Sequence, residues 1–341
     1  MISTISPKAL VTVIILYFND KENIENCIKS VISQTYKQLQ VICIDNNTGD
    51  GLIDVLIEKY SKVEFIKTER NLGFCGANNL GIKISKGDYL LFLNSDILLK
   101  NNYVEIIINE FQKDSQIGLI SGKLLRFDFK TIDSRGLFLT KKFTLIDRGA
   151  GKIDNGLDEC REEIFGCCGA AFFISRTAYN LINYNNELFD DLFFAFMEDG
   201  DASYRIHLFG FKVIYLPDAI AFHKRGVSST GEGNYKFFKK NNYYRYLSLR
   251  NRYYFIIKNL SVKIVLSNLM FFMATEIFVF LFILVHPKLF AVYKDVIKNF
   301  QLIYKKRKYQ SKELNRIKIK EYNNWKISYL RMIKSYLKSS L

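Results

Sequence analysis

From Val11 onward, short apolar runs alternate with amphipathic segments, and nearly every apolar run ends in a polar cluster. Val11–Phe18 is almost continuously apolar and rich in β-branched residues, the pattern of a strand buried on both faces of a parallel sheet. Asn19-Asp20 follows at once. Lys21–Thr35 then changes period: Ile24, Cys27, Ile28, Val31 and Ile32 recur at helical spacing, with Asn19 or Asp20 placed to cap the start. Val41–Ile44 predicts a second strand that delivers Asp45-Asn46-Asn47, and Gly49–Tyr60 a helix. Val63–Lys67 predicts a strand, Gly73–Lys86 a helix, and Tyr89–Leu93 a strand running into Asn94-Ser95-Asp96. This order predicts an α/β fold, a doubly wound and mostly parallel sheet flanked by helices, in which ligands bind outside the carboxyl ends of the strands. Farther along, the spacing predicts a helix at Tyr103–Phe111, strands at Leu119–Leu125 and Ala170–Ser175, and a short helix at Asp201–Phe209. Lys212–Leu216 reads as a strand that Pro217 stops, and residues 130–163 give no clear pattern.

The charge is unevenly placed. The chain carries +15 overall, but Lys224–Leu341 alone holds 25 Lys and Arg against 5 Asp and Glu, so the part up to His223 is net acidic and the two parts face different partners. With 341 residues and 49% hydrophobic content, one catalytic domain plus an appendage is expected. The division is placed at 1–234 for the catalytic domain, with 9–125 on the donor side and 126–234 on the acceptor side, and at 235–341 for a basic, aromatic and apolar helical region. Within that region Leu269–Val285 is apolar except for Thr275 and Glu276. It lies at the lower length limit for a bilayer span, and a central Glu costs on the order of 2.5–3.5 kcal/mol there. A helix pair lying in or against the membrane interface is expected instead, followed by a basic tail whose Lys305-Lys306-Arg307-Lys308 attracts anionic lipid. No export signal opens the chain, and six cysteines without a Cys-x-x-Cys pair suit a reducing compartment. The cytoplasmic face of a cell membrane, with peripheral or monotopic attachment, is the expected location.

Asp96 is the first candidate for chemistry, because the strand before it presents its carboxylate into the crevice. One carboxylate together with diphosphate oxygens and water makes a Mg²⁺ or Mn²⁺ site, and such an ion balances the charge that grows on a departing diphosphate. A polar turn with Asp96 capping the next helix is the alternative.

Taken in order, these short strings resemble glycosyltransferase family 2, with the GT-A fold, and within it the rhamnosyltransferase-like branch of bacterial surface polysaccharide synthesis. The strings are Val13–Asn19, Ser33–Tyr36, Ile44–Asn47, Asn71–Phe74 with Gly76–Gly81, Leu93–Asp96, Phe194–Arg205 and Pro217–His223, and the resemblance they carry covers roughly Val11 to Ser229, about two thirds of the chain. The resemblance implies an inverting hexosyl- or deoxyhexosyl-transferase, rhamnose being a candidate sugar, that uses a nucleotide-sugar donor and a glycan or lipid-linked acceptor. It places Phe18, Asp45 and Asn46 at the nucleobase and ribose, Asn79 near the donor phosphates, and Asn94-Ser95-Asp96 at the donor with Asp96 on a divalent metal (Mg²⁺ or Mn²⁺). Asn94 stands where the family more often has Asp, and Leu16-Tyr17-Phe18 departs from the usual Val-Thr-Tyr.

Glu198-Asp199-Gly200-Asp201 puts three carboxylates at a helix start, where the helix dipole favours negative charge. The resemblance points to Asp199 as the general base, with Glu198 as the nearest alternative and Asp201 as a helix cap or a partner of Arg205. His223 is expected on the metal or the diphosphate, and Lys224 and Arg225 near the leaving group. Gly166–Ala171 fits either an acceptor-side loop or tight sheet packing. Two other functions compete. A nucleic-acid-binding protein would explain the basic, tyrosine-rich Tyr243–Tyr254, but the neighbouring apolar segment suits lipid better and no nucleic-acid partner is expected. A sugar nucleotidylyltransferase would carry a Gly-rich basic loop, which Tyr17–Lys21 lacks.

Overall fold

The computed structural model describes residues 9–156, 160–225 and 241–316. Its first half is the expected alternation: β1 (Val11–Tyr17), α1 (Ile24–Ile32), β2 (Leu39–Asp45), α2 (Leu52–Lys59), β3 (Val63–Lys67), α3 (Gly73–Ile84) and β4 (Tyr89–Asn94). β1 is parallel to β2 on one side and to β4 on the other, and β3 extends the sheet beyond β2. All seven residues of β1 are buried, because helices cover both faces of the sheet. Each such Ile, Val or Leu contributes roughly 1.5–3 kcal/mol of transfer free energy, and Ile14→Ala would cost about 2–5 kcal/mol. The start of α1 differs from expectation. Asn23 is its N-cap residue, and Asp20 acts one turn earlier through its carbonyl, which accepts from Asn23 and Ile24.

The second half widens the sheet with antiparallel pairings. β5 (Ile97–Leu99) and α4 (Tyr103–Lys113) precede the ten-residue β6 (Ile117–Arg126). The stretch without sequence pattern forms short strands: β7 (Ile132–Ser134), the pair β8 (Leu137–Leu139) and β9 (Leu145–Asp147), and β10 (Glu162–Glu163). β11 (Ala171–Ser175) lies antiparallel between β4 and β6, which makes the sheet mixed. α5 (Arg176–Ile182) and a 3-10 turn at Asp191–Phe193 lead to α6 (Glu198–Leu208), which begins three residues earlier than its periodicity suggested. β12 (Lys212–His223) runs through Pro217, and its register against β6 shifts between Leu216 and Ile220. A proline cannot donate to the ladder, so the strand bulges there instead of ending. The bulge leaves His223 on the sheet, paired across from Ile97 of β5.

The region from 241 on is helical: α7 (Asn242–Asn259), α8 (Val262–Ser267), α9 (Leu269–Val285) and α10 (Ala291–Arg316). The expected boundary at 234/235 lies outside the described residues, and the helices that follow pack on the sheet. Tyr254, Phe255, Leu260 and Ile303 belong to the same apolar core as Phe92, Phe172 and Phe189 under the central sheet. Lys306, expected in a lipid-facing basic tail, is buried with its ammonium on Asp190 (2.6 Å), and Arg307 donates to the carbonyls of Ile257 and Leu260. Among the described residues no helix is long and apolar enough to cross a membrane.

Candidate active site

The crevice lies at the carboxyl ends of β1, β2 and β4. Asp96 is buried just past β4, and its Oδ2 is 3.4 Å from Nε2 of His223. The other ring nitrogen of His223, Nδ1, donates to Oδ2 of Asp133 at 2.7 Å, since a carboxylate can only accept. Asp133 is fully buried on β7 and also accepts from Nε of Arg225, whose guanidinium reaches Asp147 at 3.2 Å. Burial opposes the charge on Asp133, but His223 and Arg225 outweigh it and hold the carboxyl below the usual range. Burial also pulls the His223 imidazole down, and Asp96 and Asp133 more than offset that, raising it to about 10. Both carboxylates thus favour the protonated ring, with which a cation at Nε2 would compete.

Asp199 sits in the first turn of α6. Its Oδ2 accepts from the amide of Gly169 (3.0 Å) and its Oδ1 from that of Gly200 (2.8 Å). A Cβ at residue 169 would meet Phe74 and Asp199 at ordinary contact distance, so the amide of residue 169 and not its lack of a side chain serves the carboxylate. Within Gly166–Ala171, tight packing is seen at Gly166, which leaves no room for a Cβ against Ser203. Burial raises the Asp199 carboxyl to about 6, its two amide donors oppose the rise, and the neighbouring Asp147 adds to it. A carboxylate with that affinity holds a proton better than an ordinary one and is still ionised near pH 7, as a general base must be.

The other candidate residues bond to neighbouring groups of the protein, and Asp201 pairs with Arg205 as expected. Asn79 donates to the Phe189 carbonyl (2.6 Å) and to Asp191 (2.8 Å), and its oxygen accepts from the amides of Leu188 and Phe189. Its amide is used in fixing that chain segment, which leaves no spare donor for a phosphate. Asn46 likewise ties down the loop before α3, donating to Asn71 and to the Gly73 carbonyl and accepting from the Leu72 amide. Asp45 accepts from the Thr48 amide at the end of β2, and Phe18 is 37% exposed at the end of β1. The Asn94 amide bonds to the Ala170 carbonyl, and Ser95 donates to Asp20, which sequence reading had treated only as a helix cap. Asp201 holds Arg205 in a buried pair and also receives Lys258 and Asn259 from α7. Lys224 pairs with Glu22.

Asp133 and Asp147 were missed because they lie in the stretch without periodicity, where only tertiary pairing brings them to the crevice. Arg250 and Asn251 of α7 were missed too. Asn251 is fully buried, and its amide nitrogen lies 2.8 Å from the carbonyls of Phe193, Ala195 and Phe196. The segment they hold contains Phe194, Phe196 and Met197, all at positive φ (63°, 72° and 71°), a conformation that costs of order 1–3 kcal/mol per non-glycine residue.

Among the described residues no group of three or more His, Cys, Asp or Glu side chains is arranged to hold an ion. Asp96 and His223 nevertheless fit as a two-ligand site. Their 3.4 Å separation is close to the roughly 3 Å between adjacent ligands on an ion bound at about 2.1 Å. Phosphate oxygens and water would complete such a shell.

The profile described as Glycosyl transferase family 2 matches residues 12–182, half of the chain. The chain is 23% identical over 235 residues to glycosyltransferase GlyG of Streptococcus pneumoniae, covering 64% of this chain and 72% of that one. It is 39% identical over 88 residues to the UDP-Glc:alpha-D-GlcNAc-diphosphoundecaprenol beta-1,3-glucosyltransferase WfaP of Escherichia coli, covering 26% of this chain and 35% of WfaP. Cholesterol galactosyltransferase of Borreliella burgdorferi is 28% identical over 110 residues, 32% of this chain and 31% of that one, so these two relatives are matched over about a third of their length. A crystal structure of GalNAc-T7 with UDP, GalNAc and Mn²⁺ superposes with a TM-score of 0.56 at 16% identity, covering 73% of this chain and 48% of that one, a likeness of fold alone. The mixed, mostly parallel sheet flanked by helices is thus a GT-A fold, and the chain belongs to glycosyl transferase family 2.

Proposed function

We propose that this chain is an inverting glycosyltransferase that moves a hexosyl or deoxyhexosyl group, rhamnose among the candidates, from a nucleotide sugar to a glycan or lipid-linked acceptor in surface polysaccharide synthesis. The observation that carries the reading is one line of charged groups at the site: Asp96, His223, Asp133, Arg225 and Asp147 in contact, with Asp199 within electrostatic reach of Asp147. Asp96 and His223 would hold a divalent ion, and that ion would supply charge stabilisation to the diphosphate. At the other end of the line Asp199 takes the proton of the acceptor hydroxyl as that oxygen bonds to the anomeric carbon. The bond from that carbon to the phosphate oxygen breaks, the nucleoside diphosphate departs, and a single in-line displacement inverts the configuration. Phe18 and Asp45, at the ends of β1 and β2, flank the space for the nucleoside.

The acceptor reading is supported by α9. Met270, Ile277, Phe278, Leu281, Leu284 and Val285 are 51% to 76% exposed, far more hydrocarbon than a soluble surface usually presents. The acidic residue of that helix, Glu276, is turned inward onto Arg252 (2.6 Å) and Tyr253 (2.6 Å), so the outer face carries no charge to desolvate. Lys263, Lys288, Lys294 and Lys298 are exposed along its neighbours. We read this face as lying in the headgroup layer at the cytoplasmic side of a membrane, on anionic lipid and not on nucleic acid. The test is a panel of nucleotide sugars with Mg²⁺ or Mn²⁺, read by nucleotide release and by the anomeric configuration of the product. Release from one sugar class with inversion is expected; a retained configuration would overturn the mechanism.

A further inference from the structure

The segment from Asp190 to Asp201 carries the base, and a single helix grips it along its whole length. At its ends, Lys258 of α7 bonds both Asp190 (2.7 Å) and Asp201 (3.0 Å), and Asn259 bonds Asp201 (2.8 Å). In its middle, Arg250 donates to the carbonyls of Leu192 (2.9 Å) and Phe193 (3.0 Å). Asn251 lies 2.8 Å from those of Phe193, Ala195 and Phe196. An amide has two hydrogens, so three carbonyls within reach of one nitrogen mean that the loop is wrapped around that nitrogen. From the opposite side the N-terminus of α3 closes in, with the Cys75 amide donating to the Phe194 carbonyl and Gly73, at φ 71°, leaving no space for a Cβ against Phe194.

Three non-glycine residues at positive φ within four positions do not hold that shape unaided. Their shape sets where α6 begins, and so where Asp199 meets the Gly169 amide.

We infer that Asn251, supported by Arg250, is a positioning residue for the base: it holds the backbone at 193–196 in the conformation that aims Asp199 at the acceptor. The inference rests on the reading of Asp199 as the base and adds to it that the C-terminal region, beyond any membrane role, completes the catalytic site. A residue of this kind leaves donor affinity alone and acts on the transfer step, because a misplacement of about 1 Å at the reacting groups can cost roughly 10²-fold.

The experiment uses the full chain with its best donor, and measures donor dissociation by calorimetry and transfer by single-turnover product formation. For Asn251→Ala, transfer is expected to fall by about 10–100-fold with the donor constant within about threefold of wild type. The half-buried Arg250 can be removed with less risk to folding, and Arg250→Ala should show the same split with a loss of about 3–10-fold, partly rescued in Arg250→Lys. It decides the matter if Asn251→Ala does not fold. In an Asp199→Asn background, Asn251→Ala should cost little more, since both act on one proton transfer. Near-normal transfer in Asn251→Ala, or loss of donor binding in proportion to activity in Arg250→Ala, would overturn the inference. Asp199→Asn with near-normal transfer would instead sink the assignment of the base, so the two failures are distinguishable.

Discussion

The crevice and the outer face of α9 break the ordinary rule of burial in opposite directions. Around the candidate site Asp96, Asp133 and His223, and on α6 Asp201, are charged or ionisable groups at low exposure. On α9, large apolar side chains stand half or more in the open. Water-soluble folds avoid both arrangements unless something compensates, and the compensation differs. Buried carboxylates are matched within the protein, to His223, Arg225, Arg205 and Lys258. Among the described residues nothing covers the outer face of α9, and the membrane surface proposed above would supply that cover. The contrast separates the two proposals: the buried site would take substrate and ion, and the exposed face a membrane surface.

The largest effect should come from breaking the crevice at its open end. Asp96→Ala removes the carboxylate on the ion, so transfer should become undetectable and the donor dissociation constant should rise, while circular dichroism stays unchanged. Asn94→Ala should be milder, because Asn94 offers at most a neutral oxygen; the reverse order, or full activity in excess chelator, would show that the ion is held elsewhere.

Next in size is the base. Asp199→Asn should lower transfer by roughly 10²–10⁴-fold with the donor constant unmoved, and Glu198→Gln should cost less. The same variant tests the burial of charge directly. The folded carboxyl titrates near 6 against about 3.9 unfolded, so its contribution to stability is present below pH 4 and is lost as pH rises through 6. At pH 8 Asp199→Asn should therefore melt a few degrees higher than wild type, roughly 2–4 °C for each kcal/mol relieved, and a lower melting point would mean that the ionised carboxylate stabilises the fold.

A smaller change is expected one contact away from the ion. Asp133→Asn leaves shape but removes the charge that fixes the His223 tautomer, and divalent-ion affinity read by titration calorimetry should fall by about 10–100-fold. Unchanged affinity would take His223 off the ion.

The smallest effect on chemistry, and the one that sharpens the other half of the contrast, is at α9. Ile277→Glu with Leu281→Glu should lower sedimentation with anionic vesicles by about tenfold or more, each apolar side chain contributing on the order of 1.5–3 kcal/mol when buried. Donor hydrolysis should hardly change. Vesicle binding equal to wild type would place the docking surface elsewhere, and a shift from dimer to monomer in place of lost lipid binding would assign the face to a second copy.

The sequence by itself determined the strand and helix alternation of the first half, the polar clusters at strand ends and the span Leu269–Val285, which α9 matches residue for residue. These are local signals: strand burial, helical period and apolar run length are written in neighbouring residues. Only the tertiary structure decided the rest. It showed that β12 passes through Pro217 with a bulge, that Asn46 and Asn79 use their amides on neighbouring backbone and side-chain groups, and that Glu276 faces α7. It brought Asp133 and Asp147 from a stretch without periodicity to His223 and Arg225, and Asn251 to a loop some fifty residues earlier in the chain. A hydrogen bond between residues so far apart in sequence leaves no period to read, because its partners are chosen by the packing of whole elements and not by their neighbours along the chain.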